Sequence, residues 1–165
     1  ALPYALGFAK ALGKDVDLGF IPTGSRVRTA IKGDPYERLI GIQLKLSPIR
    51  SVFKGKRVAI VDDSLVRGLT IKNVIQLLRN KVGAKEIHVV IGSPKIMFGC
   101  PYGMDVPPRD ELLAANLDDE LASKFVEADS ITWLSIDDVI KIFRNYRVNV
   151  CLGCFLGKYP MEVVK

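Results

Sequence analysis

Two adjacent acids, Asp62 and Asp63, end an apolar run, Val58-Ala59-Ile60-Val61, and are followed by Ser64-Leu65-Val66-Arg67-Gly68-Leu69-Thr70. Side-by-side carboxylates repel a phosphate but accept hydrogen bonds well from sugar hydroxyls. The glycine-containing loop after them opens into a helix-like segment, whose free N–H groups and dipole suit a phosphate. A ligand with a diol at one end and a phosphate at the other is a ribose 5-phosphate. The plainer alternative is a strand-to-helix turn in which Asp63 or Ser64 merely caps the helix. A second reactive group is the Cys151-x-x-Cys154 pair. Such a pair can hold a metal, zinc included, or form a redox disulfide, and its spacing leaves these options open. His88 is the only histidine. It falls inside a strand-like run and not at its end, which makes it structural.

Positioning these residues requires a particular set of elements. The run before the acids reads as a strand buried on both faces of a parallel sheet. After Gly68, the residues Ile71, Val74, Ile75, Leu78 and Val82 lie on one face of an amphipathic helix. The loop between them therefore sits outside the carboxyl end of a strand, where open α/β sheets bind ligands. Gly83 stops the helix, and a buried strand through Ile91 completes a strand-helix-strand unit. Upstream, residues 2–12 predict an amphipathic helix ended by Gly13, then a strand over Val16–Ile21. The polar, basic stretch from Pro22 to Pro35 reads as a mobile loop. It is either a lid closing over a pyrophosphate and excluding water or an ordinary solvated loop. Downstream, Leu112, Leu113, Leu117, Leu121 and Phe125 predict one or two short acidic helices over 109–127. A strand over Ile131–Leu134 and a final helix from Ile136 to about Phe143 follow.

With 165 residues and 48% hydrophobic content, the chain fits one globular domain with a real core. Its apolar runs fall far short of the roughly 20 residues of a membrane span, and no signal-peptide pattern opens it. A soluble cytoplasmic protein without a membrane partner is expected. The net charge of +6 is dispersed among 18 acids without interleaved aromatics, so no nucleic-acid partner is expected. Three cysteines are too few for a disulfide scaffold. The chain starts at Ala1 inside a helix-like segment and reads as a fragment.

The strand, the two acids and the Gly/Thr loop resemble the phosphoribosyl pyrophosphate (PRPP) motif of type I phosphoribosyltransferases. The form Asp-Asp-Ser-Leu-Val-Arg-Gly resembles, more narrowly, that of the glutamine PRPP amidotransferases, or amidophosphoribosyltransferases. Similar elements are Arg28, Thr29 and Ile31, then Arg38, Lys45 and Leu46. So are Ser93-Pro94, Cys100-Pro101-Tyr102-Gly103-Met104-Asp105 and the run from Cys154 through Phe155 to Gly157-Lys158-Tyr159-Pro160. The resemblance implies an α/β fold, a mostly parallel sheet flanked by helices. It implies an N-terminally truncated phosphoribosyltransferase domain over residues 1–147 and a Cys-containing tail over 148–165. The full enzyme, a glycosyltransferase and glutamine amidotransferase, would form 5-phosphoribosylamine in de novo purine biosynthesis. Its substrates would be PRPP and ammonia from a separate glutaminase domain, and a homo-oligomer is expected. The fragment alone would be inactive.

By the same resemblance, Asp62 and Asp63 would take the ribose hydroxyls and Mg²⁺. Ser64, Leu65, Val66, Arg67, Gly68, Leu69 and Thr70 would hold the 5-phosphate, and Arg28 and Lys45 the pyrophosphate. Cys100, Cys151 and Cys154 would bind a [4Fe–4S] cluster, with a fourth cysteine upstream of Ala1. Three positions depart from the family pattern. Leu69 stands for a usual Thr, and Ser25 and Ala30 replace a Tyr and a Phe that would wall an ammonia path. A non-catalytic PRPP-binding regulator would suit these changes. A different type I phosphoribosyltransferase would leave the Cys-rich tail unexplained.

Overall fold

The computed structural model describes residues 1–22 and 46–161. Helix α1 (Leu2–Leu12) carries a proline in its first turn and ends at Gly13, whose φ of 61° opens the left-handed cap that closes it. Strand β1 (Phe20–Pro22) pairs antiparallel with β2 (Leu46–Pro48). It is shorter than the expected strand over Val16–Ile21, because its partner offers only three residues of ladder. A single turn, α2 (Arg50–Phe53), leads to β3 (Arg57–Asp62).

The functional half of the fold is a three-stranded parallel sheet in the order β3-β4-β5, with β4 at Glu86–Ile91 and β5 at Ser130–Trp133. Between β3 and β4 runs α3 (Leu69–Leu77), which widens into a π-turn over Leu78–Val82 and stops at Gly83. The helical periodicity holds: Ile71, Val74, Ile75, Leu78 and Val82 are all buried. They pack on Ile87, Val89 and Ile91, the inward set of β4, and on Ala122, Val126 and Ile131. Each fully buried aliphatic side chain is worth about 1.5–3 kcal/mol, so this layer dominates the stability of the unit.

A 3₁₀ turn (Arg109–Glu111), α4 (Leu113–Asn116) and α5 (Asp119–Val126) connect β4 to β5, and α6 (Ile136–Asn145) follows. Asp118 caps α5 by accepting the Leu121 N–H at 2.8 Å. Ser135 caps α6 by accepting the Asp138 N–H at 3.0 Å. Such caps are worth about 1 kcal/mol each.

Three expectations need correction. Strand β3 is only half-buried, because β4 is its single partner among the described residues and its inward positions, Val58 and Ile60, only border the core. Leu121 is 49% exposed, because α5 turns Ala122 and Val126 inward instead. Helix α6 is not the last, since a short α7 (Gly153–Leu156) forms within the Cys-rich tail. The loop after Pro22, with Ser25, Arg28, Thr29, Ala30, Ile31, Arg38 and Lys45, lies outside the described residues.

At the amino ends of β4 and β5, the Asp129 carboxylate accepts the Ile87 N–H at 2.7 Å and the Arg79 guanidinium at 2.6 Å. The Ile87 N–H above all, and then Arg79, hold its carboxyl below the ordinary carboxylate range. A carboxyl whose pKa is depressed by folding stabilises fully above its unfolded value, about 3.9. That contribution is lost as the pH falls through the lower folded value. Asp129→Ala is expected to cost about 1–2 kcal/mol at pH 7, with the buried Ile87 N–H left unpaired. Urea unfolding should show the gap between variant and wild type narrowing below about pH 4. A gap that is constant down to pH 2 would contradict this account.

Candidate functional site

Strand register brings the chemistry to one rim. In the parallel ladder Asp62 lies beside Ile91, and Ile91 beside Trp133. The Gly92 N–H donates to the Asp62 carbonyl at 2.8 Å, which extends the ladder to its carboxyl end. Asp62 turns its carboxylate back to accept the Asp63 N–H at 2.9 Å, and Ser64 Oγ donates to Asp63 Oδ1 at 3.2 Å. Asp63 stands in solvent while Asp62 is half-buried. Burial pushes the Asp62 carboxyl up, the Asp63 N–H opposes this, and the charge of Asp63 pushes it up further. Such a pair gains from hydroxyl donors or a cation.

The loop after the acids is anchored from below. Leu65 is buried, and the Val66 carbonyl accepts the Leu113 N–H at 2.8 Å. Gly68 takes φ 79° at the N-cap of α3. A Cβ there would come within 3.2–3.3 Å of Leu113, Val126 and Phe125, so glycine is required both by the turn and by the close approach. No side chain caps α3. The N–H groups of Leu69, Thr70 and Ile71 therefore start the helix without intrahelical partners, as an anion site needs. Leu69 is exposed at the first helical position, and Thr70 follows it in solvent. The Arg67 side chain pairs through its Nε with Glu111 Oε2 at 2.5 Å.

Across the rim, Pro94, Lys95, Asp119, Trp133, Ser135 and Ile136 line an open cleft of about 330 Å³. Lys95 pairs with Asp119 and stands over the Trp133 ring at 5.0 Å. The cleft contains neither acid nor any residue of the phosphate loop. Neither Glu111 nor this cleft is legible in sequence, because the first depends on a pairing over 44 residues and the second on strand register. His88 bonds Ser130 Oγ at 2.8 Å across neighbouring strands, as a structural histidine would.

The tail folds back onto the segment after β4. Met97 and Phe98 donate their N–H groups to the Cys154 carbonyl at 2.9 and 3.0 Å, and Tyr159 donates to the Gly99 carbonyl. The Tyr159 ring packs against Gly153 so closely that no Cβ would fit there. Cys100, Cys151 and Cys154 are free thiols. Burial raises the Cys154 pKa, and the charges of nearby Cys100 and Cys151 raise it further. The Gly153 N–H points at Cys151 Sγ at 3.4 Å. Among the described residues no three His, Cys, Asp or Glu side chains are gathered closely enough to hold a metal ion by themselves. No helix there is long and apolar enough to cross a membrane.

No protein-family model matches the chain. It is 43% identical over 160 residues to the amidophosphoribosyltransferase of Methanocaldococcus jannaschii, covering 97% of this chain and 33% of that protein. It is 40% identical over 163 residues to the Bacillus subtilis amidophosphoribosyltransferase, covering 96% of this chain and 34% of that protein. Among solved structures, the glutamine PRPP amidotransferase from B. subtilis complexed with ADP and GMP superposes with a TM-score of 0.81 at 40% identity. That match covers 98% of this chain and 36% of the other. The chain spans about a third of the length of the relatives it matches.

The thiol geometry gives a direct test. In metal-free protein, Cys151 is exposed and Cys154 is half-buried with a raised pKa. Because the thiolate is the reactive form, iodoacetamide at neutral pH is expected to label Cys151 first and Cys154 last. Peptide mass spectrometry over a time course reads the order, and early labelling of Cys154 would contradict it.

Proposed function

We infer that this chain belongs to the amidophosphoribosyltransferase family over the third of its relatives' length that it spans. From that premise we propose that it is the phosphoribosyltransferase portion of an enzyme forming 5-phosphoribosylamine. The substrates are PRPP and ammonia released from glutamine by another part of the protein, and the setting is cytoplasmic purine biosynthesis. The observation that carries this reading is the half-buried Asp62 with Asp63 at the carboxyl end of β3, directly before a loop that enters an uncapped helix start.

In this reading Asp62 and Asp63 accept the ribose hydroxyls, and the N–H groups of Ser64 to Thr70 receive the 5-phosphate. Arg28 and Lys45, which lie outside the described residues, are assigned to the pyrophosphate by the family resemblance alone. The reaction requires no nucleophilic side chain. Pyrophosphate leaves C1 as positive charge develops on the ribose, so rate comes from positioning and from stabilising the leaving group. Mg²⁺, when bound, supplies charge that the leaving pyrophosphate needs. The paired carboxylates fit it, since burial and the like charge of Asp63 both push the Asp62 carboxyl up and a cation would relieve both.

The tail, residues 148–165, is proposed as a structural metal segment attached to the phosphoribosyltransferase domain of residues 1–147. The donor chemistry fits a [4Fe–4S] cluster: three free thiols, with Cys100 and Cys151 near enough to Cys154 to raise its pKa, and a backbone N–H aimed at the Cys151 sulfur. Such a cluster takes four thiolates, so one ligand would come from outside this chain. The whole protein is proposed to be a homo-oligomer, as the family resemblance implies.

PRPP with Mg²⁺ is expected to raise the melting temperature of full-length protein, and Asp62→Asn with Asp63→Asn to abolish the rise. An undiminished rise in the double variant would remove the diol assignment. Anaerobically purified full-length protein is expected to hold about four irons and four sulfides per chain, and colourless zinc-loaded protein would overturn the cluster.

A further inference from the structure

Arg67 sits within the phosphate loop, yet its guanidinium is engaged elsewhere. Arg67 Nε donates to Glu111 Oε2 at 2.5 Å. Two further contacts join the same segments: the Leu113 N–H donates to the Val66 carbonyl at 2.8 Å, and the Leu113 side chain fills the space beside Gly68. The partner segment is itself well braced. Asn116 Nδ2 donates to the carbonyls of Arg109 and Leu112 at 2.8 Å and of Asp110 at 3.2 Å, which ties the 3₁₀ turn to the start of α4. Leu112 and Leu113 are buried beneath it. Arg109 lies over the Phe98 ring at 5.1 Å, next to the point where the tail docks.

A loop that binds a phosphate through backbone N–H groups must hold its peptide planes fixed, because those donors cannot adjust once the ligand arrives. A free arginine in the same loop would compete for the phosphate as a flexible, bidentate cation. We propose that Glu111 is a positioning residue for the phosphate loop. It draws the Arg67 guanidinium away from the anion and clamps residues 65–68 onto the Arg109–Leu113 turn, so that the loop presents its N–H groups preformed. This inference rests on the PRPP reading given above.

The test uses full-length enzyme and the variants Glu111→Gln, Arg67→Gln and their combination. It measures PRPP kinetics and, without ligand, amide hydrogen exchange over residues 64–70. Both partners are partly exposed, so each single variant is expected to raise KM for PRPP about three- to fivefold, as befits an exposed ion pair. The fall in kcat should be smaller, and loop exchange faster. The double variant should be no worse than either single one, because both remove the same contact. If Arg67→Gln raises KM and Glu111→Gln leaves it unchanged, Arg67 contacts the phosphate directly and the inference is wrong. If wild type responds to PRPP and neither KM nor exchange moves in the variants, the clamp is refuted while the functional reading stands. A wild-type enzyme indifferent to PRPP refutes that reading and takes this inference with it.

Discussion

The candidate site depends first on the register of the parallel ladder. A shift of β3 by one residue would turn Asp62 to the other face and put Val58 and Ile60 into solvent, since side chains alternate with period two. The register is held by the inward set Ile87, Val89 and Ile91 of β4, packed beneath α3. At the amino ends, Asp129 joins the Ile87 N–H and Arg79 to the start of β5. With the strands so fixed, Asp62, Ile91 and Trp133 end level on one rim. Strands about 4.8 Å apart then place Trp133 roughly 10 Å from Asp62.

On that rim, charge and burial are set against each other. Asp62 is taken partly out of water at the point where Asp63 adds a like charge, and the Asp63 N–H and the amino group of Ala1 only partly offset the cost. Perturbed acids of this kind cluster at functional sites, although structural networks produce them as well. Here the perturbation coincides with an uncapped helix start and a glycine that admits no side chain. Leu69 offers no hydroxyl in the first turn but keeps its own N–H, so the backbone donors of the helix start are all present.

The segment from Gly92 to Leu113 links the two reactive groups. One end of it receives the tail through Met97, Phe98 and Gly99, and the other meets the phosphate loop through Glu111 and Leu113. The tail therefore docks by hydrogen bonds at the Cys154 carbonyl and the Tyr159 hydroxyl, and by the edge-on contact of Tyr159 with Tyr102. These contacts hold a stretch so far along the chain against the segment that follows β4.

Much of this was legible in residue order. Periodicity located α3 and its buried face, Gly13 and Gly83 marked two helix ends, and the Asp62-Asp63 pair with Gly68 marked the loop, because these features are local. Local pattern also misled where a partner decides the outcome: β1 is short because β2 is short, and Leu121 points outward because Ala122 and Val126 fill the space below. The pairing of Arg67 with Glu111, the nearness of Cys100 to Cys154 and the alignment of Trp133 with Asp62 belong to tertiary structure alone. Each joins residues more than forty positions apart, and no periodicity in a chain encodes which distant charge, thiol or strand end its fold will bring alongside.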